Sequence, residues 1–257
     1  MKDSIFCGKI TLIVALTFNV IALNAQKGNQ FLGVEAGINF YEHDIPEMQF
    51  IRAQSTFRGE EDINLSGNSY GYYSSLKGEY FLSERFTFQS GIRYSIIYTS
   101  IHKAVDWSSK TDYFYVFAKT EGNDSFYYKI KSIENDVHYL SLPLEFRYFI
   151  MPDYLFRLYV RVGADVGFKI YSQPEVSFKS SELLAESETI MQNFDKPNPV
   201  YLSGNLSIGW KIGRAGKPNF NIEAIFPTFF MNEMNSGLLQ PLFGGGLRMS
   251  LQIPFNL

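Results

Sequence analysis

Residues 156–170 read FRLYVRVGADVGFKI, and this stretch leaves the chain few ways to fold. Phe156, Leu158, Val160, Val162, Ala164, Val166, Phe168 and Ile170 are apolar. Arg157, Tyr159, Arg161, Gly163, Asp165, Gly167 and Lys169 stand between them. Successive side chains of a strand point to opposite faces, so an unbroken period of two predicts a strand with one apolar and one polar face. Ordinary strands run to about 5–6 residues. A strand that crosses a bilayer at a tilt needs about 9–11, apolar toward the lipid and polar toward the lumen. The segment just before it, Val137–Ile150, reads VHYLSLPLEFRYFI, and only Met151–Leu155 separates the two. Together they predict a membrane-crossing hairpin with a tight turn.

The same alternation recurs along the chain. Strands are predicted at Phe31–Tyr41, Tyr70–Leu82, Phe86–Ser100, Val200–Ile212, Phe220–Pro227 and Leu242–Phe255, which brings the total to eight. Their connections fall into two classes. Ser83–Arg85, Met151–Leu155 and Arg214–Asn219 are short, whereas Glu42–Ser69, Ile101–Asp136, Tyr171–Pro199 and Thr228–Gln240 are long. The expected fold is therefore all-β: an eight-stranded antiparallel up-and-down transmembrane β-barrel with long extracellular loops and short periplasmic turns. Within the longest connection, Tyr113–Lys119 and Phe126–Ile130 flank a turn-forming Glu121-Gly122-Asn123-Asp124, which predicts a hairpin extending the barrel wall beyond the membrane. Ser181–Asn193 is a candidate short helix. Pro143 cannot donate a ladder hydrogen bond, which predicts a bulge or bend in the fourth strand.

Residues 1–25 read as a secretory signal peptide and 26–257 as the barrel domain. Lys2 and Lys9 precede or open an apolar run, Ile10–Leu23, that ends in Leu23-Asn24-Ala25, a small-residue context for cleavage. Removing this leader takes with it Cys7, the single cysteine, so disulfide chemistry is not expected in the mature chain. It also moves the formal charge from −3 to −4, a balance that argues against a nucleic-acid partner. The expected location is the outer membrane, with outer-membrane lipid as one partner.

A soluble ligand-binding barrel, such as a lipocalin, would hide the apolar face and wet the polar one. Here the polar face mixes charges of both signs with glycines, including Gly33, Gly37, Gly91, Gly163, Gly167, Gly244 and Gly246. That mixture suits a narrow lumen filled by side chains. Buried charge is tolerated only when paired. The candidate structural network comprises Glu35, Lys77, Glu79, Arg93, Glu145, Arg147, Arg161, Asp165, Lys169 and Arg248. Arg157, Lys211 and Glu223 lie on the same polar face. Aromatics make up 17% of the chain, with 24 Phe and 17 Tyr against 2 Trp. Rings near strand ends (Tyr80, Phe81, Tyr98, Tyr148, Phe149, Phe226, Phe229 and Phe230) are expected at the headgroup level.

The phrase Tyr139-Leu140-Ser141-Leu142-Pro143-Leu144-Glu145-Phe146-Arg147-Tyr148-Phe149 resembles a mid-barrel strand of the PorT-like outer-membrane β-barrel family of Bacteroidota. The alternating Val/Gly segment Tyr159–Gly167 and the Asn24-Ala25-Gln26 context fit that family as well. The resemblance implies an integral outer-membrane barrel, and the family's namesake is associated with a protein-secretion apparatus.

Small membrane barrels also include enzymes, which place His with Ser or an acid at the outer rim. The available histidines are His43 beside Asp44, His102 ahead of Asp106 and Ser108, and His138 beside Asp136 and near Ser141. No His/Asp/Glu spacing predicts a metal site, although Arg58–Asp62 is a candidate Ca²⁺ loop. The main expectation is a non-enzymatic barrel that needs no cofactor and acts through its loops or turns on an envelope or secretion partner. An outer-rim enzyme acting on lipid or peptide is the first alternative, and the soluble barrel is the second.

Overall fold

The computed structural model describes residues 30–46, 50–52, 64–104, 111–119, 125–151, 155–179, 187–214 and 216–255. Eight long strands close into a ring: β1 (Gln30–Asp44), β3 (Leu65–Phe81), β4 (Phe86–Lys103), β6 (Ser125–Phe149), β7 (Phe156–Phe178), β8 (Val200–Ile212), β9 (Asn219–Phe230) and β10 (Gln240–Pro254). Each pairs antiparallel with its sequence neighbour among the eight, and β1 pairs with β10 to complete the circle. Closure gives every strand a partner on both sides, the condition for a sheet to sit in hydrocarbon, where an open edge would strand its polar groups. Among the described residues two short strands, β2 (Ile51–Arg52) and β5 (Phe114–Lys119), lie outside the ring, and α1 (Ser187–Met191) is a short helix.

The eight predicted strands are all present, and the alternation faces as expected. Val160, Val162, Leu206, Ile92 and Leu247 are exposed on the outside, while Glu35, Glu145, Arg147 and Arg161 are buried inside. Glycine makes room for the inward rings at two rungs. A Cβ on Gly37 would lie 2.3 Å from the hydroxyl of its cross-strand partner Tyr73, and one on Gly167 would lie 2.1 Å from the ring of its partner Tyr201.

β6 and β7 run far beyond the membrane-crossing length. β5 takes over from β4 as the neighbour of β6 there, and β2 adds to β5. This is the predicted hairpin, built as an upward continuation of β6; its turn at residues 120–124 is outside the described residues. Here the interior changes character. Phe114, Val116, Ile130, Ile133 and Val176 form an apolar core with Ile190 and Phe194 from α1 and its exit, and with Leu238 and Leu239 from the β9–β10 connection. We call this upper part the crown and the apolar-skinned part below it the belt.

Three expectations need correction. Pro143 produces no bulge: it lies opposite Asp165 in an unshifted register with β7, and the β4–β6 register is the same on both sides of it. The missing N–H costs rungs toward β4 rather than displacing the strand. The β6–β7 register shifts instead between Ile130 and Ser132 and between His138 and Tyr139. Phe81, Phe149 and Phe230 are not headgroup rings. Phe149 is buried and packs on Phe81 and Tyr159 inside the short-turn end, and Phe230 packs inward on Tyr41 and Tyr201. Parity explains this, because Phe81 shares a face with Glu79 and Phe149 with Arg147. Finally, Lys169 does not enter the lumen network: at the top of the belt its Nζ donates to the Pro197 carbonyl at 2.9 Å.

Candidate functional site: a closed lumen

The belt is filled by two tiers of charge. Glu145, contributed by β6, is the hub of the upper tier. Its carboxylate accepts from Lys77 Nζ (2.7 Å), Arg93 Nη2 (3.0 Å), Arg161 Nη1 (3.1 Å) and Arg248 Nη1 (2.9 Å). Glu35 on β1 pairs with Lys77 and Arg93 and accepts from Ser75 Oγ at 3.1 Å. Asp165 on β7 pairs with Arg93 Nη1 at 2.5 Å. Tyr73 accepts from Arg248 Nε at 2.6 Å, and the Arg93 guanidinium lies 4.4 Å from its ring centroid.

Glu223 and Glu79 organise the lower tier. Glu223 pairs with Arg147 Nη2 and Arg161 Nη2, each at 2.7 Å, and accepts from Tyr159 OH (2.7 Å) and Ser207 Oγ (3.0 Å). Glu79 holds Lys211 Nζ at 2.5 Å and accepts from Thr87 Oγ1 at 3.0 Å. Lys211 also sits 4.5 Å over the Phe31 ring, part of the aromatic floor that includes Phe81 and Phe149. Arg161 contacts both Glu145 and Glu223 and so links the tiers. Taking two charges out of water costs several kcal/mol per ion and is offset only when each is paired and hydrogen-bonded. Hubs that accept from four donors meet that requirement.

Nine of the ten residues proposed for the network meet in this way; Lys169 stands apart. Lys211 and Glu223 belong to it as well. The alternation placed both on the polar face, but only the closed ring brings them across to Glu79 and Arg147. The neutral partners Tyr73, Tyr159, Ser75, Ser207 and Thr87 carry no signal in sequence beyond that same parity. Arg157 lies lower, donating Nη2 to the Gly213 carbonyl at 3.4 Å.

Above the charges lies a small cavity, about 30 Å³ measured to water centres, whose lining includes Asn39, Ser95, Asp165, Asn205, Thr228 and Arg248. Ile97, Val137, Tyr139, Tyr201 and Met234 roof it, packed with Phe230. The β9–β10 connection then folds across the mouth, with Ser236 Oγ 3.2 Å from Thr99 Oγ1 and Asn135 Nδ2 donating to the Ser236 carbonyl at 2.7 Å. The crown core closes the top.

The histidines are not gathered. His43 is on β1, His102 is on β4 opposite Ser66 and Ser132, and His138 is on β6 opposite Ile96 and Tyr171. His138 faces outward, its Nδ1 2.6 Å from Tyr94 OH and its ring stacked 3.9 Å from that of Tyr171. Ser141 turns inward and donates to the Arg93 carbonyl at 3.4 Å, so His138 and Ser141 lie on opposite faces of the wall. Asp106, Ser108 and Arg58–Asp62 lie outside the described residues. Among the described residues no group of three or more His, Cys, Asp or Glu is placed to hold a metal ion.

A closed eight-strand ring with an apolar outer skin and a polar interior is the architecture of an outer-membrane barrel. The family model described as outer membrane protein beta-barrel domain matches residues 24–231. The chain belongs to that family. Its place is the outer membrane, and the apolar outward skin is the reverse of a soluble lipocalin-like barrel. No curated protein matches the chain. Among solved structures it is similar to Neisserial surface protein A, with 9% identity, 88% of this chain and 97% of that one covered, and a TM-score of 0.39. It is also similar to OprG of Pseudomonas aeruginosa, with 10% identity, 88% and 93% covered and a TM-score of 0.42. The N-terminal barrel domain of OprF from the same organism matches at 9% identity, 88% and 100% covered, with a TM-score of 0.33.

Proposed function

We propose that this chain is a non-enzymatic, solute-tight outer-membrane barrel that acts through its crown, binding an envelope or secretion partner or bracing the envelope. The observation that carries this reading is the lumen, filled at successive levels by an aromatic floor, two charge tiers, an aromatic roof and the apolar crown core. An eight-stranded barrel has an interior just wide enough for side chains, and here side chains occupy it. The likeness of the Tyr139–Phe149 phrase to a PorT-like mid-barrel strand supports a role of the PorT-like kind, and the 1–25 leader, cut after Ala25, is the export route that goes with this reading. The crown, at the end of the long connections, then lies outside the cell, and the short turns lie in the periplasm.

Two measurements test the reading. Reconstituted in planar bilayers, the protein should give no steady conductance; ohmic steps would overturn the sealed lumen. Single cysteines at Lys129 in the crown and at Gly216 in the β8–β9 turn test sidedness. Lys129→Cys should label on intact cells and Gly216→Cys only after permeabilisation. The reverse pattern would invert the topology.

A further inference from the structure

The outward face of the crown sheet sets aromatic rings beside lysine ammonium groups. Tyr113, Tyr115 and Phe117 are half-exposed along β5 and the residue leading into it, while Lys129, Lys131 and Lys179 are exposed beside them on β6 and at the end of β7. The rings are mutually ordered: Tyr113 and Tyr115 meet edge-on at 5.6 Å, and Phe117 packs on Tyr127 at 5.3 Å. Lys129 Nζ lies 5.5 Å from the Tyr113 ring and 6.0 Å from the Tyr115 ring, and Lys179 Nζ lies 5.7 Å from Tyr113. Ammonium groups held at aromatic faces keep their N–H donors available to an incoming anion. Lys179 bonds Asp112 at 2.6 Å, but that pair is exposed, with the two side chains 43% and 62% accessible. A surface pair of this kind contributes little, so a ligand carboxylate can replace Asp112.

The height of the face selects the partner. Lys129 stands roughly 35 Å along β6 from Leu140, the first lipid-facing leucine. Screening in physiological salt acts over about 8 Å, so lipid phosphates at the belt's edge do not reach these lysines. What a flat strand face bearing rings and ammonium groups suits is an extended polymer that carries both apolar ring faces and regularly spaced acids.

We propose that this face binds an anionic polysaccharide, its uronate carboxylates paired with Lys129, Lys131 and Lys179 and its sugar rings lying on Tyr113 and Tyr115. The proposal rests on the reading that the crown lies outside the cell. The test uses the full barrel in detergent, with polygalacturonate as probe and dextran of similar length as the neutral control. Polygalacturonate should be retained at low salt and released as salt rises, and dextran should not be retained. The triple variant Lys129→Glu, Lys131→Glu, Lys179→Glu should bind polygalacturonate roughly tenfold or more weakly. Tyr115→Ala should weaken binding severalfold while leaving its salt dependence unchanged. All four positions face outward, so an unfolding midpoint like the wild type's verifies that each variant is folded. Wild-type protein that ignores polygalacturonate, a triple variant that binds it equally well, or equal retention of dextran would each overturn the proposal. Lys129→Cys labelling on intact cells and bilayer conductance keep the two claims apart. A sealed barrel with Lys129 surface-exposed that ignores polygalacturonate sinks the binding face and leaves the reading standing. Labelling of Lys129→Cys only after permeabilisation sinks the reading, and the proposal with it.

Discussion

β6 and β7 pass through both belt and crown, and the two regions use the same pair of strands with opposite chemistry. In the belt, Glu145, Arg147 and Arg161 point inward and Phe146, Val160 and Val162 point outward. In the crown, Ile130, Ile133, Val176 and Phe178 point inward, and Lys129, Lys131 and Glu175 are exposed. The backbone rule is unchanged; what changes is the medium outside. Where the outside is hydrocarbon, the apolar residues must face it and the lumen is left to polar side chains, which then require partners. Where the outside is water, the interior can be an ordinary hydrophobic core. The belt is consequently held by a few many-partnered hubs, and the crown by many small contacts.

That contrast predicts unequal costs for small changes. Glu145→Gln keeps the shape of the side chain but removes the charge that faces Lys77, Arg93, Arg161 and Arg248. Breaking a buried pair costs about 3–5 kcal/mol, so this should be the most damaging single change, read as a lower denaturant midpoint for the reconstituted barrel. A midpoint equal to wild type would mean that the tiers are not what holds the belt. Val162→Arg tests the skin instead. Val162 is 53% exposed and flanked by Phe146 and Leu206, so a guanidinium there faces hydrocarbon. The expected cost is about 2–4 kcal/mol at the bilayer midplane, seen as poor assembly and loss of heat resistance in detergent. Normal assembly would show that the facing has been assigned the wrong way round.

The belt was legible because its alternation is unbroken: from Arg157 to Lys169 every second residue faces the lumen side. Of the crown, the β5–β6 hairpin was legible too, but the upward run of β7 and the inward apolar set were not, and the two register shifts explain why. Lys131 is an extra residue on β6, so inward positions pass from Ile133 to Ile130 rather than to Lys131. Ile170 is an extra residue on β7, so the inward set changes from odd numbers up to Lys169 to even numbers ending in Val176 and Phe178. A period-two reading stops at each bulge, so it ends β7 at Ile170 and leaves the segment beyond as loop. The same limit puts Lys169 among the lumen charges: its parity is right, but it stands beside the bulge where the lumen gives way to the loop over the mouth. The pairing of charges was not readable at all. Lys211 reaches Glu79 across 132 positions of sequence, a contact that exists only once the ring has closed.

The weaker predictions address the crown, where small contacts should give small and local effects. Ile133→Val removes one methyl group from a fully buried position in the crown core. The expected loss is about 0.5–1.5 kcal/mol. Hydrogen exchange should quicken along β5 and the upper parts of β6 and β7, while the belt amides stay as slow as in wild type. Faster exchange throughout the belt would show that crown and belt unfold as one unit rather than two. Asp112→Asn sets the lower limit. The hydrogen bond from Lys179 holds the Asp112 carboxyl below the usual carboxylate range, with the nearby lysine charges adding to the effect. A lowered folded-state pKa means that any contribution is complete above the ordinary aspartate range, near about pH 4, and fades as pH falls through the lowered value. Because the group is exposed, the difference between wild type and Asp112→Asn in crown exchange should be small at neutral pH and gone in acid. An Asp112→Asn change that loosened the crown as much as Ile133→Val would mean that surface charge, and not the apolar core, organises the crown. The division between a belt held by ion hubs and a crown held by hydrophobic packing would then fail.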